Sequence, residues 1–334
     1  MDAKAGIGIP EPGDRVLWMR FSAFGDVLES VADACNFKKH FPETHLTFLS
    51  SPEHSELIMG QPCFDDVLAG DKSYAKWWQT VRNIRAGRYK WLITDHTGGK
   101  SFLMALFSRA KHRVGSCDWS LFKHIYHINM ELWFRHCGIN IKDRSQPSIL
   151  ASDESRNAAL NLLACLPERR LFAVIGSKRI KKMWTERGWI DFLRPLANEG
   201  WGIVLNGHGP REEELGRKIE SALASGNVMN LIGALDFKKM SAVALGCTLA
   251  IGNDTGPMHL AALGGVPTMG LFSYPPSDAA RDLLNIPWFR ALCAKDYVDE
   301  KTGLPPIKSL PAEPVAKAFG AFAAEFLREP GTRQ

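Results

Sequence analysis

The 334-residue chain is expected to be an α/β protein of two Rossmann-like domains facing each other across a cleft. Three observations carry that expectation. Short apolar runs alternate with segments whose apolar residues recur at helical spacing, which predicts parallel sheets covered on both faces. The alternation occurs twice, on either side of a polar, aperiodic stretch, Asn140–Ser152, that contains Pro147. The length suits two domains, each able to bury its own core. The expected limits are residues 1–152 and 153–313, followed by an amphipathic helix at about 314–328.

The first run, Arg15–Arg20, reads as a buried strand closed by the loop Phe21-Ser-Ala-Phe-Gly25. A helix from Asp26 to about His40 then puts Val27, Leu28, Val31 and Ala34 on one face. Thr44–Leu49 alternates as a second strand and Pro52–Met59 is a short helix. Val67-Leu68 is a minimal strand and Trp91–Thr94 a fuller one. The Gly98-Gly99 turn leads into an apolar helix, Ser101–Ala110, then a strand, Arg113–Gly115, and a helix, Leu121–Cys137. After the polar stretch comes a helix, Glu154–Leu166. Strands Leu171–Ile175, Gly202–Asn206, Val228–Leu231, Cys247–Ile251 and Thr268–Phe272 follow, the last closing the sheet. Helices Glu186–Asn198, Glu212–Leu223 and Phe237–Leu245 separate them. Ser273–Pro311 reads as loop and Pro314–Leu327 as the terminal helix.

Apolar residues make up 45% of the chain and charged ones 23%, an ordinary globular balance. Seven cysteines lie scattered, without a CxxC pair or a zinc-spaced Cys/His cluster. Free thiols, a reducing compartment and no metal site are therefore expected. Met1–Pro12 lacks the apolar core of a signal peptide, and Phe102–Phe107 is too short a run to span a bilayer, so the expected location is cytoplasmic. The net charge of +5 is unevenly spread: residues 72–113 hold ten Lys/Arg against Asp95 alone, with Trp77, Trp78, Tyr89 and Trp91 among them. The plainer reading of that segment is a solvated helix face. The functional reading is a surface that meets phosphates on a membrane lipid or a nucleic acid.

Ligands of open parallel sheets sit beyond the carboxyl ends of the strands. The turns to inspect are therefore Ser22–Asp26, Asp95–Lys100, Gly176–Trp184, Asn206–Glu212 and Asn253–His259. In the last, a strand, a polar turn and a helix beginning near Pro257 leave backbone amides pointing out of the sheet end, an anion site. Asp254 or Thr255 can cap that helix, and Gly256 keeps the backbone open to close approach. A well-capped turn without a ligand explains the same residues.

Together these turns resemble glycosyltransferase family 9, the ADP-heptose:lipopolysaccharide heptosyltransferases. The matching stretches, in family order, are Ser22-Ala-Phe-Gly-Asp-Val-Leu28, Asp95-His-Thr-Gly-Gly-Lys100, Lys181-Lys-Met-Trp184, Asn206-Gly-His-Gly-Pro-Arg-Glu212 and Gly252-Asn-Asp-Thr-Gly-Pro-Met-His259. The resemblance implies a GT-B fold with acceptor on the N-terminal domain and sugar nucleotide on the C-terminal one. It also implies a terminal helix packed back on the first domain. The implied reaction is inverting transfer of a heptose from ADP-heptose to the inner core of lipopolysaccharide, with no metal ion or other cofactor. The implied partners are a nucleotide-sugar donor and an anionic glycolipid acceptor at the inner membrane face, and no nucleic acid. Residues 72–113 would then supply peripheral contact with the membrane.

By the same resemblance, Asp26 matches the catalytic base that takes the proton of the attacking hydroxyl, although a helix cap explains it locally. Lys182 matches a phosphate-binding lysine, answering charge that builds on the leaving diphosphate, with the amides of Thr255 and Gly256 beside it. Ser177 and Lys178 match positions lining the donor phosphates, whereas Arg179 and Lys181 read as solvent-facing. Glu212 matches an acidic position that holds ribose hydroxyls, since a carboxylate accepts from both; placement at a helix N-terminus explains it equally. Leu235 stands where an adenine-facing residue is expected and Asp254 where sugar hydroxyls are bound, and His259 completes the donor pocket. Ser22, Gly25, Asp95 and Lys100 are the acceptor-side candidates, Lys100 for carboxylates or phosphates.

The chain departs from the family pattern at Ala32 and Thr185, both common proline positions, and in the more basic Lys178–Lys182. These departures leave the acceptor open. The alternatives are a family 9 transferase with another sugar nucleotide or acceptor, and a non-catalytic nucleotide or glycolipid binder. A dinucleotide oxidoreductase is disfavoured, because Phe21–Gly25 lacks GxGxxG.

Overall fold

The computed structural model describes residues 8–96, 99–115, 128–276, 282–298 and 303–327. The chain divides into two units, Met1–Asp143 and Arg144–Gln334. In the first, strands β1 (Arg15–Met19), β2 (His45–Ser50), β3 (Asp66–Ala69), β4 (Trp91–Thr94), β5 (His112–Gly115) and β6 (Ile128–Asn129) form one parallel sheet in the order β3-β2-β1-β4-β5-β6. Helices α1 (Phe24–His40), α2 (Pro52–Met59), α3 (Tyr74–Ala86), α4 (Gly99–Phe107) and α5 (Met130–His136) belong to the same unit. Strand β1 shows why both faces are covered: Val16, Leu17, Trp18 and Met19 are all fully buried. Alternate side chains of a strand point to opposite faces. Leu17 and Met19 pack with Trp77 and Val81 of α3 and Phe102 of α4. Trp18 meets Phe37 of α1 at 5.8 Å and Phe134 of α5 at 6.1 Å.

The second unit opens with α6 (Asp153–Leu163). Its strands are β7 (Arg170–Val174), β8 (Gly202–Asn206), β9 (Val228–Asn230), β10 (Leu249–Asn253), β11 (Thr268–Phe272) and β12 (Phe289–Cys293). They are all parallel, in the order β12-β11-β10-β7-β8-β9. Between and after them run α7 (Glu186–Asn198), α8 (Pro210–Leu223), α9 (Phe237–Leu245), α10 (Gly256–Leu263) and α11 (Ala312–Phe326). Counted from its own first strand, each sheet has the same order, 3-2-1-4-5-6. The first and fourth strands therefore lie side by side, and the chain winds away from them in opposite directions. Such a switch point is where ligands bind in open α/β sheets.

Several expectations change. Helix α1 begins at Phe24, so Asp26 is its third residue and not its N-cap, and its carboxylate caps from inside the first turn by accepting the Ala23 amide. Of the helix expected over Leu121–Cys137, among the described residues 128–129 pair as a strand with β5 and Met130–His136 is helical. Residues 121–127 of that helix and Gly98 lie outside the described residues. Strand β11 does not close its sheet; β12 does, in a stretch expected to be loop. Its Phe289 and Leu292 are buried while Arg290 and Ala291 are exposed, so the pattern does not alternate as a strand signal should.

The polar stretch Asn140–Ser152 is shared between the units. Asn36 donates to the carbonyls of Ile141 and Asp143, and Lys142 pairs with buried Asp33, whereas the amides of Ser148 and Ile149 donate to Leu263. The two compact units divide at 143/144, inside the stretch expected to link the domains. Cys35 on α1 is joined to Cys63 by a disulfide, against the expectation of free thiols; a 28-residue spacing carries no local signature of pairing. Among the described residues, no helix is long and apolar enough to cross a membrane.

Helix α11 packs in the second unit's core. Its buried face carries Val315, Phe319, Phe322 and Ala323, and Phe319 sits 5.3 Å from Phe192 of α7 and 6.2 Å from Trp201. The apolar stripe of α11 covers an aromatic surface that α7 would otherwise expose. Phe319→Ala should therefore destabilise the second unit by about 3–5 kcal/mol, read as a lower denaturant midpoint in equilibrium unfolding.

Candidate functional site

In the first unit the candidates gather where β1 and β4 end. Thr94 Oγ1 donates to the Met19 carbonyl at 2.6 Å, and the amide of His96 donates to Thr94 Oγ1, which ties the two strand ends together. Arg20, the residue after β1, reaches Asp26 with one guanidinium nitrogen and Asp95 with the other, each at 3.1 Å. Asp26 Oδ2 also accepts the amide of Ala23 at 2.8 Å, so both contacts fall on one carboxylate oxygen. Asp95 lies beside Ser30, whose hydroxyl accepts from the buried Trp18 indole at 2.8 Å and faces Asp95 Oδ1 at 3.4 Å. Burial raises the Asp95 carboxyl to about 6; Arg20 opposes the shift and Asp33 adds to it.

Basic groups crowd the same place. Lys72 Nζ lies 3.3 Å from both Ser22 Oγ and His96 Nε2, and Lys100 Nζ donates to the Lys72 carbonyl at 2.8 Å. Burial, then Arg20 and Lys100, push the Lys72 ammonium below its ordinary value. Burial, then Lys72 and Arg20, bring His96 down to about 4, so the ring is neutral near pH 7 and its nitrogen accepts from Lys72. Like charges held this close favour an anion among them. Of the expected acceptor residues, Ser22, Asp95 and Lys100 belong to this cluster, and Gly25 lies in the first turn of α1 next to Asp26. Sequence reasoning missed Arg20, Lys72 and His96. The available signal was position alone, since Arg20 is the first charge past a buried strand on the carboxyl edge.

In the second unit the turns after β7, β8 and β10 carry the donor candidates. A short 3-10 turn, Ile180–Lys182, brings Lys182 into an ion pair with Asp254. His259 Nε2 is 3.3 Å from the other Asp254 oxygen. Burial pushes the Asp254 carboxyl up, but the His259 and Lys182 contacts outweigh it and hold it below the usual carboxylate value. Because Asp254 is engaged there, it does not cap α10. Thr255 occupies the cap position, yet its hydroxyl donates to the Asn253 carbonyl. No side chain caps α10, whose first residue is Gly256, with Pro257 second.

Lys178 is exposed, but Ser177 is buried and its hydroxyl accepts the Arg179 amide at 3.2 Å. Its hydroxyl thus shapes the turn instead of being presented to solvent. Glu212 is buried too, and its carboxylate accepts the His208 amide at 2.7 Å. A Cβ on Gly176 would fall 1.6 Å from that carboxylate, so only glycine there leaves room for it. Leu235 is partly buried in the turn between β9 and α9. Asn253, which sequence reasoning did not single out, stitches this site together. Its amide nitrogen donates to Ile175 at 2.7 Å and its oxygen accepts the Trp184 amide at 3.0 Å. Among the described residues, no group of three or more His, Cys, Asp or Glu is placed to hold a metal ion.

Two outcomes follow from this geometry. Asn253→Leu keeps the branched shape of the side chain but leaves a buried amide and a buried carbonyl unpaired. It should cost about 2–4 kcal/mol in denaturant unfolding. For Asp95, the raised pKa means that the folded state keeps a proton the unfolded chain has already released. The stability it contributes is present at low pH and is lost as pH rises through about 6. Between pH 4 and pH 7 wild type should lose about 2 kcal/mol relative to Asp95→Asn, checked by urea titrations at both pH values.

A family model, "Glycosyltransferase family 9 (heptosyltransferase)", matches residues 77–285, well over half of the chain. The match takes in Asp95–Lys100, Lys182, Glu212 and Gly252–His259, and begins after Asp26. The lipopolysaccharide core heptosyltransferase OpsX of Haemophilus influenzae is 20% identical over 277 residues, 77% of this chain and 78% of that protein. Among solved structures, the family 9 glycosyl transferase of Veillonella parvula superposes with a TM-score of 0.80 at 18% identity, covering 93% of this chain and 97% of its own. The E. coli heptosyltransferase WaaC with ADP gives 0.72 at 18% identity, covering 92% and 100%. These likenesses show a shared GT-B fold. With the family match spanning both units, the chain belongs to glycosyltransferase family 9, the heptosyltransferases.

Proposed function

We propose that the protein transfers a heptose from ADP-heptose to an anionic inner-core lipopolysaccharide acceptor, with inversion and with Asp26 as general base. The observation that carries this reading is the setting of Asp26. Arg20 and the Ala23 amide both engage Oδ2, which fixes the carboxylate and leaves Oδ1 to take a proton. In the reaction, the acceptor oxygen forms a bond to the anomeric carbon as the bond to the β-phosphate breaks. ADP leaves with the electron pair, and the hydroxyl proton passes to Asp26.

The second unit answers the charge that builds on the leaving diphosphate. Lys182 and the amides of Thr255 and Gly256 at the start of α10 are the donors assigned to it. A diphosphate at that turn competes with Asp254 for Lys182 and so frees the carboxylate for sugar hydroxyls. His259 orients it, and Lys178 and Leu235 remain candidates for the phosphates and the adenine. Glu212, already bonded to the His208 amide, reaches a ribose only through its other oxygen. Arg20, Lys72 and Lys100 form the cradle for acceptor carboxylates or phosphates. The reading assigns no metal or other cofactor, and a lipid-linked acceptor would place the enzyme in the cytoplasm against the inner membrane face. WaaC, solved with ADP and with ADP-2-deoxy-2-fluoro heptose, supports the choice of donor.

The test is mass spectrometry of products after incubation with ADP-heptose and truncated core acceptors. Asp26→Ala should turn over on the order of 100-fold more slowly while its thermal shift with ADP stays unchanged. Lys182→Ala should lose most of that ADP shift. Wild-type turnover by Asp26→Ala would remove the base from the mechanism.

A further inference from the structure

The outward face of α3 and α4 takes no part in the site described above. Trp78, Leu103 and Leu106 are 54%, 41% and 40% exposed. Leu103, Leu106 and Phe107 share one side of α4 by their spacing. The Trp78 ring lies 5.6 Å from Phe107, and buried Trp77 supports both rings, at 4.7 Å from Trp78 and 5.9 Å from Phe107. Large apolar side chains exposed together mark a surface that meets something. Exposed Arg82 follows Trp78 by one helical turn, Arg85 lies 6.0 Å over the Phe107 ring, and exposed Arg109 and Lys111 come just after α4. The only acid between residues 72 and 113 is Asp95, which Arg20 already engages.

We propose that this face docks on an anionic phospholipid bilayer. Trp78, Leu103 and Leu106 enter the boundary between headgroups and acyl chains, and Arg82, Arg85, Arg109 and Lys111 meet lipid phosphates. Tryptophan favours that boundary because its ring is apolar and its N–H polar. The charge argument selects the occupant. A patch carried by a segment with ten Lys/Arg and one acid across residues 72–113 fits a surface that is negative throughout, and a basic apolar face gains from both charge attraction and burial. The inference deepens the proposed function, since it brings the enzyme to a lipid-linked acceptor, but docking itself needs no substrate.

The experiment is co-sedimentation of the full chain with phosphatidylcholine vesicles, with and without phosphatidylglycerol. Binding is expected only to the anionic vesicles, and it should weaken with salt. The double variants Trp78→Ser/Leu103→Ser and Arg82→Glu/Lys111→Glu should each reduce it by at least about tenfold. Thermal midpoints matching wild type confirm that each variant folds. Quenching of tryptophan fluorescence by brominated lipid should fall in Trp78→Phe, which keeps the patch apolar. Transfer to a soluble truncated acceptor should be unchanged in every variant, so failure of docking is separable from failure of the transferase reading. Equal binding to neutral and anionic vesicles, or wild-type binding by both double variants, overturns the proposal. So does a self-associated species in sedimentation velocity that Trp78→Ser dissolves, which would assign the face to a second copy of the chain.

Discussion

The parallel pairing of the first and fourth strands is the constraint on which the rest of each unit depends. In the first sheet Val16, Leu17 and Trp18 are in register with Trp91, Leu92 and Ile93, and in the second Leu249–Gly252 lie beside Leu171–Val174. Two parallel neighbours that wind away in opposite directions leave their carboxyl ends without a helix directly across them. The loops that follow are therefore where the candidate residues gather: Arg20 to Asp26 after β1, Asp95 and His96 after β4, Gly176 to Lys182 after β7, Asp254 and Thr255 after β10. The pairing is also tight. A Cβ on Gly252 would sit 2.5 Å from the Cβ of Val174, so a glycine stands next to the last residue of β10, just before the site begins.

Electrostatic tension is built into both sites, and each resolves it with one shared partner. In the first unit Arg20 serves two carboxylates at once, which a planar guanidinium with five donors can do and an ammonium cannot do with the same geometry. Asp95 is nevertheless raised, because its burial outweighs that single contact, while Lys72 and His96 are lowered by burial and by the cations around them. In the second unit the ordering reverses. Asp254 is held between Lys182 and His259, and those two contacts overcome its burial. The first unit thus crowds cations around one raised carboxyl, and the second holds its cation against a carboxylate kept ionised.

Some groups expected to meet a ligand are also engaged in local structure. Ser177 satisfies a backbone amide of its own turn, and Glu212 spans the space that Gly176 leaves open. Ser177 sits in the loop after β7 and Glu212 in the first turn of α8, where a functional role and a capping role call for the same residue types. Sequence does not separate these roles, because a hydroxyl or carboxylate beside a helix start accepts an amide as readily as it accepts a ligand's donor.

Alternation of apolar runs, read from the chain by itself, determined the two-sheet architecture; Trp91–Thr94, Gly202–Asn206, Thr268–Phe272, Glu186–Asn198 and Phe237–Leu245 keep the bounds their patterns imply. That follows because strand and helix periods are local properties of side-chain order. Motif residues such as Asp26, Lys182 and Asp254 were visible through the resemblance to family 9, which rests on five short turn motifs in order along the chain. Tertiary structure alone decided which distant residues meet: Arg20 with Asp95, Asn253 with Trp184, Cys35 with Cys63, α11 with α7. Each of those contacts is made by strands or helices far apart in the chain, and no local period encodes which edge, face or loop a segment will find.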